Sequence, residues 1–215
     1  MANDGRLGEA LSPGSLGERL LQTRYGTDTR AGRFYSNQLL DHLTEQMCAF
    51  ISRQTMCFIG TADAQGECDC SFRAGSAGFV RVIDETHVVY PEYRGNGVMA
   101  SLGNIVENGH VGILFVDFFE DTIGLHLNGR AHIVHEADDL PPQADQAPEG
   151  NGSTPARRSP RAERWVHVDV EEAYIHCSKH IPRLEHRPKS IDWGTDDEAK
   201  KGGDYFGARG EPRRR

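Results

Sequence analysis

The sequence predicts a mainly β protein with flanking helices, an α+β chain built around a small antiparallel barrel. Three observations predict it. Between residues 56 and 135, short apolar segments recur at close spacing. Hairpin-type turns such as Asp63-Ala64-Gln65-Gly66 and Asp84-Glu85 separate them. A single helical segment, 98–107, is inserted among them. About six strands of this kind describe a barrel better than a sandwich.

Residues 1–36 form an N-terminal extension rich in Gly, Ser and charge, in which Leu16, Leu20 and Leu21 predict one short helix. Ser36 or Asn37 can cap the next helix. Leu39, Leu40, Leu43, Met47, Phe50 and Ile51 follow at helical spacing, so an amphipathic helix is expected over 38–53. Strands then follow at 56–61 and 67–72, joined as a hairpin, and at 78–84 and 86–92, joined through Asp84-Glu85. After the inserted helix come strands at 111–118 and 122–135. Gly129 interrupts the last of these and marks a bulge or a close backbone approach. Residues 136–162 lack an apolar period and read as a flexible loop. Order returns with Trp165, Val166, Val168 and Val170, another strand, which runs on toward His180 and closes at Pro182. One domain is therefore expected over 37–195, with a charged tail at 196–215.

Composition excludes several classes of function. The chain has 215 residues, with 24 Lys+Arg against 32 Asp+Glu and a formal net charge of −8. A nucleic-acid binder needs a basic face to neutralise phosphates, so none is expected as a partner. The run Arg213-Arg214-Arg215 is read as a solvated tail. No apolar run is long enough to span a bilayer, and the N-terminus lacks a basic segment followed by an apolar one, so neither membrane insertion nor secretion is expected. The five cysteines are an odd number in a chain that needs no staples. They read as reduced thiols of a cytoplasmic protein.

The chemistry concentrates in residues 67–108. Arg73 and Arg94 each stand just past a strand end. Arg94 opens the Gly-rich turn Arg94-Gly95-Asn96-Gly97, which feeds the helix. Backbone N–H groups at a helix start, together with guanidinium groups, suit a phosphate ester. Each arginine alone reads as an ordinary surface residue; the pair flanking a helix start favours phosphate contact. No metal site is expected. His176 and His180 lie four apart, but no second pair completes a tetrahedral set. Cys68 and Cys70 read as half-buried thiols. His126 and His132, of like parity in one strand, read as core or surface histidines, although one could line a cleft. Trp165 and Trp193 read as packing residues, with Trp193 an alternative cover for a bound ring. No catalytic triad, Walker loop or dinucleotide fingerprint occurs, and no catalytic residue is identified.

This order of elements resembles the pyridoxamine 5'-phosphate oxidase-like, FMN-binding split β-barrel family. The residues that carry the resemblance are Ser71-Phe72-Arg73, Gly78-Phe79-Val80-Arg81-Val82, Arg94-Gly95-Asn96 and Ser101-Leu102-Gly103-Asn104-Ile105. Val111-Gly112-Ile113-Leu114-Phe115, Leu127-Asn128-Gly129-Arg130-Ala131 and the segment 172–179 complete it. The resemblance implies a six-stranded antiparallel split barrel and a homodimer with FMN in the cleft between subunits. It further implies that Arg73 and Arg94 hold the FMN phosphate, with help from Gly95, Asn96 and Gly97, and that Ser71 hydrogen-bonds nearby. Val80, Tyr90 and Pro91 would lie along the ribityl chain and ring edge. Ser101 and Asn104 would reach the phosphate or ribityl hydroxyls.

The vitamin-making oxidases of that family carry a Ser-Arg-Lys run and a basic C-terminal patch for the substrate phosphate. Here the turn has no lysine, and Lys179, Arg183, Arg187 and Lys189 do not reproduce that end. The resemblance is closest to the broad group related to those oxidases. It implies an FMN-dependent oxidoreductase acting on a small organic molecule. Two alternatives stand beside it: a non-catalytic flavin carrier or sensor, and the same barrel loaded with a deazaflavin or haem.

Overall fold

The computed structural model describes residues 13–134, 162–187, 189, 191–192, 195 and 197–212. The expectations for Trp193, for the terminal arginines 213–215 and for the loop 136–162 (apart from residue 162) lie outside the described residues. The chain divides into two compact units, Met1–Leu39 and Leu40–Arg215.

The described residues of the first unit hold two helices rather than one, α1 (Leu16–Tyr25) and α2 (Asp28–Gln38). A capping box starts α1: the Ser15 hydroxyl accepts from the Glu18 backbone N–H, while the Glu18 carboxylate accepts from the Ser15 N–H. Gly26 ends it at φ 64°, a left-handed conformation that glycine adopts without strain. The Tyr35 hydroxyl donates to Glu18 at 2.7 Å and accepts from Gln22 at 2.8 Å, which ties α2 to α1.

In the second unit, the helix expected over 38–53 begins only at Glu45. This is α3 (Glu45–Arg53), capped by the Thr44 hydroxyl. The apolar residues before it are taken by the sheet. Leu40 exchanges two backbone hydrogen bonds with Ala173, and the Leu43 N–H donates to the Glu85 carbonyl. Helical spacing alone cannot separate a buried extended segment from a helix turn.

Among the described residues seven strands form one antiparallel sheet: β1 (Met56–Ala62), β2 (Cys68–Ala74), β3 (Arg81–Asp84), β4 (His87–Glu92), β5 (His110–Val116), β6 (Gly124–Val134) and β7 (Arg164–His176). Their order is β2-β1-β5-β6-β7-β4-β3. The mainly β, split-barrel class holds with seven strands instead of six. The segment after Trp165, itself read as a strand, inserts between β6 and β4 and adds to the expected count. The strand expected over 78–84 shortens to β3. Residues 75–80 instead form a loop pinned to the end of α3, where the Gly78 N–H donates to the Gln54 carbonyl.

Alternation supplies the core. Along β1 the inward residues Cys57, Ile59 and Thr61 are buried. Val166, Val168 and Val170 do the same on β7. Phe50 and Ile51 of α3 seal one side. Leu102 and Ile105 of α4 (Ala100–Glu107) join the same cluster, each buried apolar side chain contributing about 1.5–3 kcal/mol. The bulge expected at Gly129 is present: the β6–β7 register shifts between Asn128 and Gly129, and a Cβ at Gly129 would lie 1.9 Å from the Asp169 carbonyl oxygen.

Two local expectations change. Cys68 and Cys70 are both exposed rather than half-buried, because residues two apart on a strand share a face and β2 ends the sheet order. His176 closes β7, and the residues after it make a short 3₁₀ turn, Ser178–His180, so His176 and His180 do not share a helix turn. His176 instead meets His126, ring nitrogen to ring nitrogen, at 2.9 Å.

Candidate functional site

The end of β2 meets the end of β4. Arg73 donates through Nε (3.0 Å) and Nη2 (2.8 Å) to Glu92 Oε1, with both side chains largely buried. These strands lie first and sixth in the sheet order, so this ion pair closes the curl of the sheet. Residues 93–99 then lead from β4 to α4, whose start faces Arg73. Ser101, buried in the first turn, completes a hydroxyl and carboxylate cluster. Its Oγ lies 2.7 Å from Ser71 Oγ, and it donates to Asp69 at 3.1 Å; Ser71 donates to the same carboxylate oxygen at 2.8 Å. Arg73 Nη2 reaches Ser101 at 3.4 Å, and Nη1 donates to the Phe72 carbonyl at 3.2 Å.

Above this floor opens a cavity of about 890 Å³, lined by residues of β2, of the β4–α4 loop, of the α4 start, of the β7 entrance and by Lys201. Ser71, Arg73, Arg94, Gly95, Asn96, Gly97 and Ser101 all line it. Its charged lining is Arg73, Arg94, Arg164 and Lys201 against Asp69, Glu92 and Glu163, an excess of one positive charge. Glu92 pairs with Arg73, so the remaining charged lining is Arg94, Arg164 and Lys201 with Asp69 and Glu163. The N-cap of α4, Met99, has φ 57° and makes no side-chain capping bond. Asn96 Oδ1 accepts from the Val98 N–H at 3.0 Å and so shapes the turn. A Cβ at Gly95 or Gly97 would meet nothing within 4 Å, so the turn leaves open space beside the backbone; Gly97 has φ 81°.

The other predicted residues sit elsewhere. Val80 and Tyr90 are fully buried in the core, and Pro91 is buried on β4. None of the three is among the cavity lining. Asn104 faces the β1 side of α4 and donates to Thr61 Oγ1 at 3.0 Å. Sequence reading missed Asp69, Glu92, Tyr93, Glu163 and Arg164. For Glu92 a signal existed, an acidic residue ending an apolar strand near two arginines; Arg164 enters only through the strand order.

Electrostatics keep the neighbouring hydroxyls and thiols protonated. Burial pushes the Tyr93 hydroxyl above its usual range, and it lines the cavity as a neutral phenol. Burial likewise pushes the Cys57 thiol up to about 12. The Tyr90 hydroxyl is also raised by burial and has no hydrogen-bond partner among the described residues.

Residues 43–177 match the profile of the family described as pyridoxamine 5'-phosphate oxidase, and the chain belongs to that family. None of the curated proteins matches its sequence significantly. Among solved structures, the HupZ protein of Group A Streptococcus is 20% identical, with a TM-score of 0.44 over 66% of this chain and 99% of that one. An FMN-binding protein from Syntrophomonas wolfei is 11% identical, with a TM-score of 0.43 over 75% and 97%. The FAD binding protein of Mycobacterium smegmatis is 14% identical, with a TM-score of 0.39 over 62% and 97%. Among the described residues no helix is long and apolar enough to cross a membrane.

Proposed function

We propose that this chain binds FMN in the cavity between β2, the β4–α4 loop and the start of α4, and serves as an oxidoreductase for a small organic substrate. The observation that carries the reading is the convergence of Arg94, Arg164, the outer edge of Arg73 and the start of α4 on one open cavity. The residues fit the group. A dianionic phosphate is matched by the rim cations, ribityl hydroxyls by Ser71 and Ser101, and close backbone approach by the open Gly95-Asn96-Gly97 turn. When bound, FMN supplies hydride acceptance and donation. The chain's own residues bind and orient it, and Tyr93 holds a protonated hydroxyl at the cavity wall. No imidazole is among the described lining residues, which weighs FMN over haem.

A second reading, a flavin carrier without turnover, is favoured by one observation: Asp69 and Glu92 are engaged by Ser71, Ser101 and Arg73, which leaves Glu163 as the only other carboxylate among the described lining residues. We further place the site in a homodimer of a cytoplasmic protein. The exposed apolar side chains of Phe72, Val98 and Met99 beside the cavity support a second copy there. Sedimentation at micromolar concentration checks the dimer, and a monomer removes it.

The test of the cofactor is an absorption spectrum of the untagged protein and of the supernatant after denaturation. A released two-banded flavin is expected, and Arg94→Ala, alone and with Arg73→Ala, is expected to lose it while keeping the fold. A colourless protein that also refuses added FMN, or a folded double variant with full flavin content, would overturn the assignment. Reduction by NADH or NADPH in stopped flow then separates enzyme from carrier.

A further inference from the structure

The barrel carries a second cluster of chemistry-bearing side chains that shares no residue with the cavity. In the sheet register β7 lies between β6 and β4. His132 stands opposite His167, and His87 stands opposite Asp169. Residues 167 and 169 share one face of β7, the reverse of the buried 166, 168 and 170. Three imidazoles and one carboxylate are thereby gathered from three adjacent strands on the outer face of the barrel.

The distances approach those of a chelate. Ligand atoms of His132, His167 and Asp169 all lie within 4.8 Å of one another. His167 Nδ1 is 3.4 Å, and His87 Nε2 is 3.6 Å, from the same oxygen, Asp169 Oδ1. A tetrahedral ion with metal–ligand bonds of about 2.0–2.2 Å has ligand–ligand edges of about 3.3–3.6 Å. The ring centroids follow suit, 4.7 Å from His132 to His167 and 5.3 Å from His87 to His167.

Two independent observations separate this cluster from ordinary surface histidines. First, His167 Nδ1 is buried yet makes no hydrogen bond among the described residues; its approach to Asp169 lies outside hydrogen-bond geometry. Second, Asp84 sits behind His87: its carboxylate oxygens lie 2.7 and 2.8 Å from His87 Nδ1. A carboxylate that accepts from one ring nitrogen leaves the other as a lone pair aimed outward, which is the usual support for a metal-bound imidazole.

We propose that the outer face of β4, β7 and β6 binds one divalent transition ion of the zinc class, through His132, His167, Asp169 and His87 Nε2, with Asp84 orienting His87. Imidazole and carboxylate ligands at tetrahedral spacing select zinc or cobalt over magnesium or calcium, which prefer oxygen-only shells. Nitrogen and oxygen ligands from three strands would clamp that part of the sheet, so the ion acts on stability. This departs from the sequence-based expectation of no metal, because the ligands lie far apart in the chain and no local spacing betrays them.

The experiment uses the untagged full-length protein, stripped with chelator and titrated with cobalt(II), then zinc(II). One equivalent should bind and give the intense visible bands of tetrahedral cobalt. Zinc should displace it, and the thermal midpoint should rise with added ion. Asp169→Asn and the double variant His132→Gln/His167→Gln should lose the bands, and Asp84→Asn should weaken binding by about 10- to 100-fold. Octahedral, weak cobalt spectra with no saturation at one equivalent would overturn the proposal. So would full-strength binding in a folded Asp169→Asn or His132→Gln/His167→Gln variant, which would put the ion elsewhere, for instance at His126 and His176.

Discussion

Replacing Glu92 by Gln tests the floor of the cavity. The substitution keeps the shape but removes the charge opposite Arg73. Deleting one partner of a buried ion pair costs about 3–5 kcal/mol, and exposed pairs contribute under about 1 kcal/mol. With side-chain exposures of 20% for Arg73 and 12% for Glu92, and a water-accessible cavity beside them, the pair falls between these limits. Arg73 also keeps its bonds to Ser101 and the Phe72 carbonyl. A loss of about 2–3 kcal/mol is therefore expected. The freed guanidinium then faces the cavity, so an added anion should matter more to the variant than to the native chain. A ligand at a hundredfold excess over its dissociation constant stabilises by about 2.7 kcal/mol. The assay is urea unfolding in phosphate-free buffer and again with inorganic phosphate, with an unchanged m-value as the check that only stability has moved. Two results would refute the reasoning: a Glu92→Gln protein as stable as the native one without phosphate, or equal phosphate increments for both proteins.

Three further substitutions probe the frame. Gly129→Ala drives a Cβ to 1.9 Å from the Asp169 carbonyl, and backbone on both sides must shift, so about 3 kcal/mol or more should be lost; a native-like urea midpoint would mean that the bulge is not where Gly129 puts it. Tyr90→Phe removes a buried hydroxyl with no partner among the described residues and should be neutral or stabilising by up to about 1 kcal/mol, whereas a clear loss would reveal a partner. Burial pushes the Asp117 carboxyl up, but the N–H groups of Glu120, Phe119 and Asp121, and then Arg53, outweigh it and hold its pKa low. A depressed carboxyl stabilises above its unfolded pKa, and that contribution fades as pH falls through the lower folded value. Asp117→Asn should thus cost about 1–2 kcal/mol at neutral pH and little once the pH is well below about 3.9; a gap that persists in acid would assign the effect to shape instead of charge.

What could be read in advance followed from local rules. The strand sequence of β1, β5 and β7 shows in alternating or continuous apolar runs, and Gly129 announced its bulge because a strand has few other uses for glycine. Arg73, Arg94 and the Gly95-Asn96-Gly97 turn drew attention because a strand end, a guanidinium and a helix start are all local signals. The segment before α3 misled for the same reason. Leu39, Leu40 and Leu43 fit helical spacing, and only the pairing of Leu40 with Ala173, far along the chain, makes that stretch extended.

The sequence by itself determined the class of the protein: which stretches are strands, which helix interrupts them, and that two arginines, a Gly-rich turn and a helix start gather between residues 67 and 108. Those properties depend on neighbours a few positions apart. Tertiary structure alone decided the partners. Arg73 faces Glu92 only because the sheet curls until its first and sixth strands touch, and Tyr90 is sealed in the core rather than set beside the cavity because β4 is buried on both faces from Val88 to Glu92. His132, His167, Asp169 and His87 meet only because β7 inserts between β6 and β4. Cross-strand contacts depend on strand order and register, and those are settled by how the whole barrel buries its apolar faces, a property no short window of sequence contains.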